Sequence, residues 1–265
     1  PMTGSMRLAV GEGAAEGAAW PVWPGGIELA AQIRQYFGMG HRPSKIELII
    51  MGGTFPAMPP EYQEWFVARC LEALNDYPRF REGNGNLDVA LRRNERAKLR
   101  CVGLTVETRP DWARPRHVDF FLRLGATRVE LGVQCLSDRV LRLVRRGHGV
   151  EDVVAATQVL KDAGYKVVYH IMLGLPGMSP GDDLETMRKV FGDPRFRPDM
   201  LKLYPTVVVP GTELYRWWKE GRYEPYDMDT LVDLLARIKS MVPEYVRIMR
   251  IQRDIPVRNI VAGPR

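Results

Sequence analysis

The chain has 265 residues, of which 45% are hydrophobic, and it carries a formal charge of +6 with an isoelectric point near 9.3. It contains no run of about 18 apolar residues, which argues against a membrane-spanning helix. The three cysteines are scattered and odd in number, so we expect no disulfide framework and a reducing, cytoplasmic compartment. The positive charge fits either a solvated basic surface or a polyanionic partner such as RNA.

The first 26 residues show few signals of regular structure. Residues 6–10 have the length and composition of a short strand, and residues 11–19 form a low-complexity run of glycine, alanine and glutamate. We therefore expect residues 1–26 to be a poorly structured N-terminal segment and residues 27–265 to form the folded domain.

From residue 27 onward, helical and strand periodicities alternate. The predicted strands cover residues 45–51, 101–107, 128–133, 166–172, 200–204 and a short final stretch at 246–251. Predicted helices lie at 27–37, 60–74, 87–99, 117–124, 137–144, 150–163, 182–191, 212–219 and 227–242. This alternation predicts an α/β fold with a parallel sheet, right-handed crossovers and a complete or partial (β/α) barrel.

Polar and glycine residues cluster where the predicted strands end, which is the edge that carries chemistry in such barrels. The consecutive glycines Gly52 and Gly53 expose backbone groups to a ligand, although an ordinary turn has the same composition. Glu130 can accept hydrogen bonds from vicinal hydroxyls, or it can be a structural carboxylate paired with Arg109 or Lys202. We expect Glu107 and Arg109 to pair with each other.

Longer strings carry a specific resemblance because they occur in a fixed order. They read KIELIIMGGTF (45–55), GLTVETRPD (103–111), RVELGVQ (128–134), RRGHGVEDVV (145–154) and RPDMLKLYPTVVVPGTELY (197–215). Over about residues 33–256 the chain resembles the radical-SAM core of the catalytic subunit of Elongator and its archaeal and bacterial homologues. The resemblance implies a partial (β/α) barrel of radical-SAM type, with parallel strands, C-terminal helices and a short final strand.

The resemblance also implies a function, namely modification of the wobble uridine of tRNA. In that family a [4Fe-4S] cluster cleaves S-adenosylmethionine to a radical that abstracts hydrogen from acetyl-CoA. The resulting acetyl radical adds to C5 of uridine and yields 5-carboxymethyluridine, which makes these proteins radical-SAM acyltransferases. The implied partners are tRNA, acetyl-CoA, and other Elongator-type subunits or a second copy of the chain.

Site residues follow from the resemblance, position by position. Gly52, Gly53 and Thr54 match the methionine-binding turn, Glu130 and Gln134 the ribose-contacting strand end, and Lys45 a lysine implicated in acetyl-CoA binding. The predicted cofactor-binding set is Lys45, Gly52, Gly53, Thr54, Glu107, Glu130, Gln134, His170 and Lys202. For His170, a core histidine bonded to a neighbour is the ordinary alternative.

Three basic groups suggest contacts with RNA phosphates, although charge runs usually form solvated faces. The predicted RNA-binding residues are Arg92, Arg93, Arg96, Arg145, Arg146, His148, Arg247, Arg250 and Arg253.

The sequence departs from the family in its cluster motif. Trp20 and Trp23 stand where a CxxC pair precedes the Pro24-Gly25-Gly26 segment in the family, and tryptophan cannot ligate iron. We therefore expect no metal ligands in this chain, and we interpret residues 1–26 as the remnant of a cluster-binding region. We also expect this chain to lack the C-terminal acetyltransferase-like domain of the family. Two alternatives stay open: a non-catalytic tRNA-binding or scaffold barrel, and an unrelated metabolic barrel enzyme.

Overall fold

The computed structural model describes residues 5–11, 25–52, 54–80, 83–252 and 255–264. The chain divides into two compact units, Pro1–Glu130 and Leu131–Arg265. The boundary falls inside the strand Arg128–Gln134. Among the described residues, no helix has both the length and the apolar character needed to cross a membrane.

The first unit alternates strands and helices. Its elements are β1 (Ser5–Gly11), α1 (Gly25–Gly38), β2 (Lys45–Met51), α2 (Pro60–Asn75), α3 (Leu87–Asn94), β3 (Arg100–Thr108), α4 (Pro115–Arg123) and the start of β4 (Arg128–Gln134). Short 3-10 turns at Phe55–Ala57 and Pro110–Trp112 follow β2 and β3. Strands β1, β2 and β3 run parallel, with Ser5 beside Lys45 and Lys45 beside Arg100.

The strand possibility at residues 6–10 is confirmed, because Ser5–Gly11 pairs with β2 along its whole length. The expectation of a poorly structured N-terminal segment is therefore wrong for residues 5–11. The ladder satisfies the backbone groups of this short apolar stretch, and Leu8 is buried. Trp20, Trp23 and most of the low-complexity run lie outside the described residues.

Helix α3 is shorter than predicted, since it ends at Asn94 and not near Leu99. The buried side chain of Asn94 donates to the Leu99 carbonyl at 3.2 Å and accepts from the Cys101 amide at 2.7 Å. These bonds require the chain to turn back towards β3, which a continued helix would prevent.

The second unit repeats the same alternation after the end of β4. It contains α5 (Asp138–Leu143), α6 (Val150–Asp162), β5 (Lys166–Leu173), α7 (Pro180–Gly192), β6 (Met200–Pro205), α8 (Glu213–Lys219), α9 (Met228–Ser240), β7 (Arg247–Ile251) and a 3-10 turn (Val257–Asn259). Strands β5, β6 and β7 run parallel in chain order. Helices α5, α7, α8 and α9 each begin after a side chain that caps the first turn, as expected for Ser, Thr and Asp at such positions.

The two faces of β5 differ in character. Tyr169 is buried and its hydroxyl hydrogen-bonds to Thr157 on α6, so this face packs against the helix. Because successive side chains of a strand alternate, His170 and Met172 point to the opposite face. The same alternation places Leu201 and Leu203 of β6 on one face and Lys202 and Tyr204 on the other, and all four residues are buried.

Candidate functional site

Two carboxylates lie close together in the first unit. Glu107 lies next to the last residue of β3 and is half-buried, whereas Glu130 in β4 is fully buried. Their carboxylate oxygens lie within 4.8 Å of each other. Two carboxylates this close place several hydrogen-bond acceptors at the C-terminal edge of these strands.

The other end of the same strands is closed by an ion pair. Glu47 of β2 and Arg128 of β4 approach to 3.4 Å, and both side chains are largely shielded from solvent. Arg128 and Glu130 are two residues apart and therefore share one face of β4. The face thus carries a neutralised pair near the strand starts and two carboxylates near the C-terminal edge.

Arg109 is paired with Asp111, whereas its pairing with Glu107 stays a prediction. Arg109 forms a two-point ion pair with Asp111, with its Nε donating to Oδ1 at 2.9 Å. The hydrogen bond and the negative charge of Asp111 raise the pKa of the Arg109 guanidinium. Asp111 is therefore the residue that orients Arg109, a role that no sequence pattern indicates.

The structure describes two of the three residues of the methionine-binding turn predicted after β2. Gly52 is exposed at the end of β2, and Thr54 is half-buried just before the turn Phe55–Ala57. Gly53 lies outside the described residues, so its role stays a prediction.

Gln134 ends β4 in an unusual conformation. Its φ is +71°, which is uncommon for a residue other than glycine. The Cys135 amide donates to the Val133 carbonyl at 2.9 Å across this residue, the three-residue turn expected for a strained γ-turn. The side-chain amide oxygen of Gln134 is buried and has no hydrogen-bond partner among the described residues. A strained residue with a buried, unsatisfied acceptor is typical of a ligand-binding position.

Three basic side chains occupy neighbouring positions on the strands of the second unit. His170 of β5 lies beside Lys202 of β6, which lies beside Arg250 of β7. The Tyr204 ring meets the His170 ring edge-on, with centroids 5.5 Å apart. His170 is therefore packed against an aromatic ring, as the ordinary alternative for a core histidine supposes.

The loop after β5 is held by a cluster of side chains that the sequence did not predict. Asp183 of α7 is buried and accepts hydrogen bonds from the Gly174 amide at 2.9 Å and the Tyr226 hydroxyl at 2.8 Å. The Tyr223 hydroxyl donates to the Gly174 carbonyl at 2.8 Å. Burial raises the pKa of Asp183 to about 6, against the opposing effect of these donors. No local pattern signals the cluster, because Asp183 and Tyr226 lie far apart in the sequence.

In the basic loop between α5 and α6, two of the three predicted RNA-binding side chains contact the backbone of β4. Arg146 donates to the Gly132 carbonyl at 3.1 Å, and His148 is buried with Nε2 3.3 Å from the Val133 carbonyl. Both side chains support the backbone of β4. Arg145 is exposed and pairs with Glu213 at 3.2 Å.

Other predicted RNA-binding residues stand on exposed surfaces. Arg92 and Arg96 are exposed at the end of α3, and within the described ranges no ion pair engages them. Arg93 pairs with Asp76 at 2.5 Å. Arg247 is exposed on β7, and Arg253 lies outside the described residues.

Within the first unit, Lys45 lies at the opposite end of the strands from Glu107 and Glu130. It begins β2 and lines a cavity of about 610 Å³ together with Arg100 and Thr127, at the N-terminal ends of β2 and β3. The structure therefore does not bring Lys45 together with Glu107 and Glu130. Chemistry in parallel α/β barrels takes place at the C-terminal edge, so the strand ends form the candidate catalytic site, apart from the cavity beside Lys45.

The cysteines do not fit an iron–sulfur cluster. Cys70 and Cys135 are buried and Cys101 is half-buried. Burial raises the pKa of the Cys101 and Cys135 thiols to about 11, and it raises the pKa of Cys70 as well. Because clusters are held by thiolates, three inward-facing thiols on α2, β3 and the end of β4 are unsuitable ligands.

The chain matches known protein families and relatives over most of its length. The Radical SAM superfamily model matches residues 16–190, and the Radical_SAM C-terminal domain model matches residues 198–265. The tRNA uridine(34) acetyltransferase of Methanocaldococcus infernus is 49% identical over 237 residues, covering 89% of this chain and 43% of that protein. Elongator complex protein 3 of Homo sapiens is 43% identical over 237 residues, covering 89% of this chain and 42% of that protein. The chain thus spans less than half the length of these two relatives.

Solved structures agree with the fold predicted from the sequence. The archaeal Elp3 of Methanocaldococcus infernus with an N-terminal deletion superposes with a TM-score of 0.89 at 45% identity, covering 99% of this chain and 60% of that one. Coproporphyrinogen III oxidase of Escherichia coli, a radical SAM enzyme, gives a TM-score of 0.52 at 18% identity and covers 81% of this chain and 43% of its own. The predicted radical-SAM type of α/β fold is confirmed. The chain belongs to the radical SAM superfamily, in the group that includes tRNA uridine(34) acetyltransferases and Elongator complex protein 3.

Proposed function

We propose that this chain is the radical-SAM core of an enzyme that modifies the wobble uridine of tRNA, a tRNA carboxymethyluridine synthase. The observation that carries the proposal is the extent of identity to a tRNA uridine(34) acetyltransferase, which covers 89% of the chain. The polar strand ends support it, since they retain the residue types that the family places around its nucleoside cofactor. The same identity argues against an unrelated metabolic barrel enzyme.

S-adenosylmethionine is the ligand that we assign to the C-terminal strand ends. In the first unit, Glu130 offers carboxylate oxygens to vicinal hydroxyls. In the second unit, the unsatisfied amide oxygen of Gln134 can accept a hydrogen bond from a ligand. When bound, S-adenosylmethionine supplies the adenosyl group that gives this superfamily its chemistry. Because the cysteines do not fit a cluster, the roles assigned to this chain are to bind and orient the nucleoside and the RNA.

The resemblance also implies acetyl-CoA as the second substrate. Its proposed contact with Lys45 lies away from the strand ends to which we assign S-adenosylmethionine. Lys45 and Arg100 are neighbours at the N-terminal edge of the sheet, where their charges suit the phosphates of CoA. An acetyl-CoA contact at Lys45 is therefore separate from the carboxylate pair at the C-terminal edge.

The proposed RNA surface consists of arginines that the fold leaves exposed. In the first unit these are Arg92 and Arg96, and in the second unit Arg247 and Arg250. Phosphate contacts of this kind position an RNA without reading its sequence. Arg146 and His148 are excluded because they support β4, and Arg93 is neutralised by Asp76.

Gel-shift titration with two matched tRNAs tests the proposal. One carries uridine at position 34 and the other cytidine, with all other nucleotides unchanged. We expect the uridine form to bind about tenfold more tightly, because single-stranded bases are read through hydrogen bonds to their edges. Equal affinity for both would reduce the function to general RNA binding, and an absence of binding would refute the RNA part altogether.

A non-catalytic tRNA-binding or scaffold barrel is the second candidate, and the inward-facing cysteines favour it. Anaerobic reconstitution with iron and sulfide separates the two. A cluster absorption band accompanied by cleavage of S-adenosylmethionine would eliminate the scaffold. Elongator-type subunits or a second copy of the chain remain the predicted protein partners for either candidate.

A further inference from the structure

The loop that follows β5, residues 174–177, is fixed at both ends by side chains from other segments. At its start, the amide of Gly174 donates to Asp183 Oδ2 at 2.9 Å and its carbonyl accepts from the Tyr223 hydroxyl at 2.8 Å. At its end, the carbonyl of Gly177 accepts from Arg139 at 2.7 Å. Both polar backbone groups of Gly174 are thereby satisfied by side chains, which is an unusually complete restraint for one loop residue.

The shape of the loop is set by three side chains that we call the Asp183 cluster, namely Asp183, Tyr223 and Tyr226. Asp183 is 1% exposed, and its Oδ2 also accepts from the Tyr226 hydroxyl at 2.8 Å. Gly174 has a φ of +72°, and a Cβ at this position would lie 3.0 Å from the Tyr226 ring. Only glycine fits this conformation and this contact, so loop and cluster are built for each other.

The loop in turn contacts the segment that carries Gln134. Leu175 is buried in a small hydrophobic cluster with Cys135, the residue after Gln134, and with Val140 and Leu141 of α5. Gln134 holds its strained backbone and its buried, unsatisfied amide oxygen directly beside this packing. A displacement of the loop would therefore alter the support of an acceptor that lacks a partner among the described residues.

We propose that Asp183 is a positioning residue, which holds the 174–177 loop so that Gln134 is presented to the nucleoside ligand. The inference rests on the proposed function, because that function supplies S-adenosylmethionine as the ligand. Asp183 does not contact the ligand in this proposal and exchanges no proton with it. Its role is to accept two hydrogen bonds at a single oxygen.

Two substitutions at one position separate positioning from charge. In Asp183→Asn the amide oxygen can accept from Gly174 and Tyr226 in place of Oδ2, whereas Asp183→Ala removes both bonds. We expect S-adenosylmethionine to bind Asp183→Asn within about threefold of wild type, and to bind Asp183→Ala about tenfold more weakly in equilibrium dialysis. Asp182→Ala on the same helix is the control, since Asp182 is exposed and bonds to Ser179 outside the loop.

Hydrogen–deuterium exchange gives a readout that does not depend on the ligand. The amides of Gly174, Leu175 and Gly177 should exchange faster in Asp183→Ala and at the wild-type rate in Asp183→Asn, whereas Pro176 has no amide hydrogen. If Asp183→Ala does not fold, Tyr226→Phe replaces it, with a smaller loss of affinity and the same direction of exchange.

The outcomes distinguish this inference from the proposed function. Wild-type protein that folds but binds no S-adenosylmethionine overturns the ligand assignment, and the exchange data then still decide whether Asp183 holds the loop. Unchanged affinity and exchange in folded Asp183→Ala overturn the positioning role. Equal loss of affinity in the Asn and Ala variants also overturns it, because the negative charge would then be what matters.

Discussion

At the scale of single residues, the candidate site combines buried hydrogen-bond acceptors with one strained backbone position. Glu130 is fully buried within 4.8 Å of the Glu107 carboxylate, and Gln134 combines a positive φ with an unsatisfied acceptor. The sequence predicts which residues end the strands, because alternation and glycine content are local. It does not predict the conformation of Gln134 or the inward turn of Arg146 and His148, which arise from contacts with β4.

Replacement of one acceptor oxygen of Glu130 should separate ligand binding from folding. We expect Glu130→Gln to weaken S-adenosylmethionine binding by about tenfold or more, since an NH2 group replaces one carboxylate oxygen while the shape is kept. Isothermal titration calorimetry measures the affinity. Glu47→Gln, on the same face but at the opposite strand end, is the control and should bind as wild type. Equal losses in both variants would contradict a specific role for Glu130.

The pH dependence of stability should report on Asp183. Its folded pKa of about 6 exceeds the ordinary 3.8, so the stability contributed by the protonated form is present below pH 3.8 and is lost as pH rises through about 6. Its titratable neighbours stay in one form across this window, because the pKa of Asp182 is lowered and those of Cys135, Tyr223 and Tyr226 are raised.

Urea denaturation at pH 4 and pH 7 tests this linkage. We compare wild type with Asp183→Asn by subtracting the variant's free energy of unfolding from that of wild type. This difference should fall by up to about 3 kcal/mol from pH 4 to pH 7, which corresponds to a shift of roughly two pKa units. A difference that does not change with pH would show that Asp183 keeps an ordinary pKa.

At the scale of elements, helix and strand positions follow from the sequence, while several boundaries do not. The end of α3 is set by Asn94, which bonds Asn75 of α2 at 2.7 Å as well as Leu99 and Cys101. The Asp183 cluster likewise joins α7 to residues 223–226 and to the loop after β5. Such bonds connect segments distant in sequence, so a periodic pattern within one segment carries no trace of them.

Asn94 should be a major determinant of local stability. Asn94→Ala removes its hydrogen bonds and leaves buried partners unsatisfied, so we expect the free energy of unfolding to fall by about 3 kcal/mol. Chemical denaturation measures the change. Asn84→Ala, which removes an exposed side chain that accepts from the nearby Asn86 amide, should cost less than about 0.5 kcal/mol. Similar values for the two variants would contradict the role assigned to Asn94.

At the scale of the whole molecule, the charge of +6 and the exposed arginines fit a partner rich in phosphate. The sequence could predict the family and the basic groups, because both are written in linear strings. It could not predict which arginines form ion pairs, since the pairs with Asp76 and Glu213 depend on the fold.

Charge reversal at α3 should weaken tRNA binding in a salt-dependent way. We expect Arg92→Glu/Arg96→Glu to lower tRNA affinity and to reduce the slope of log affinity against log salt by about 2, because each neutralised phosphate contributes about one to the slope. The control is the double variant Arg188→Glu/Arg237→Glu, which changes the net charge by the same amount. Both arginines are exposed, and they form ion pairs with Glu185 and Asp233. An equal reduction of slope in this control would show that only net charge matters.

Photo-crosslinking of a tRNA that carries 4-thiouridine at position 34 tests most directly where the uridine is held. We expect crosslinked peptides from the C-terminal strand ends, namely residues 52–54, 107–112, 134–136 or 174–177. Crosslinks at the N-terminal edge around Lys45 and Arg100, or none with a tRNA that binds, would contradict the placement of the site.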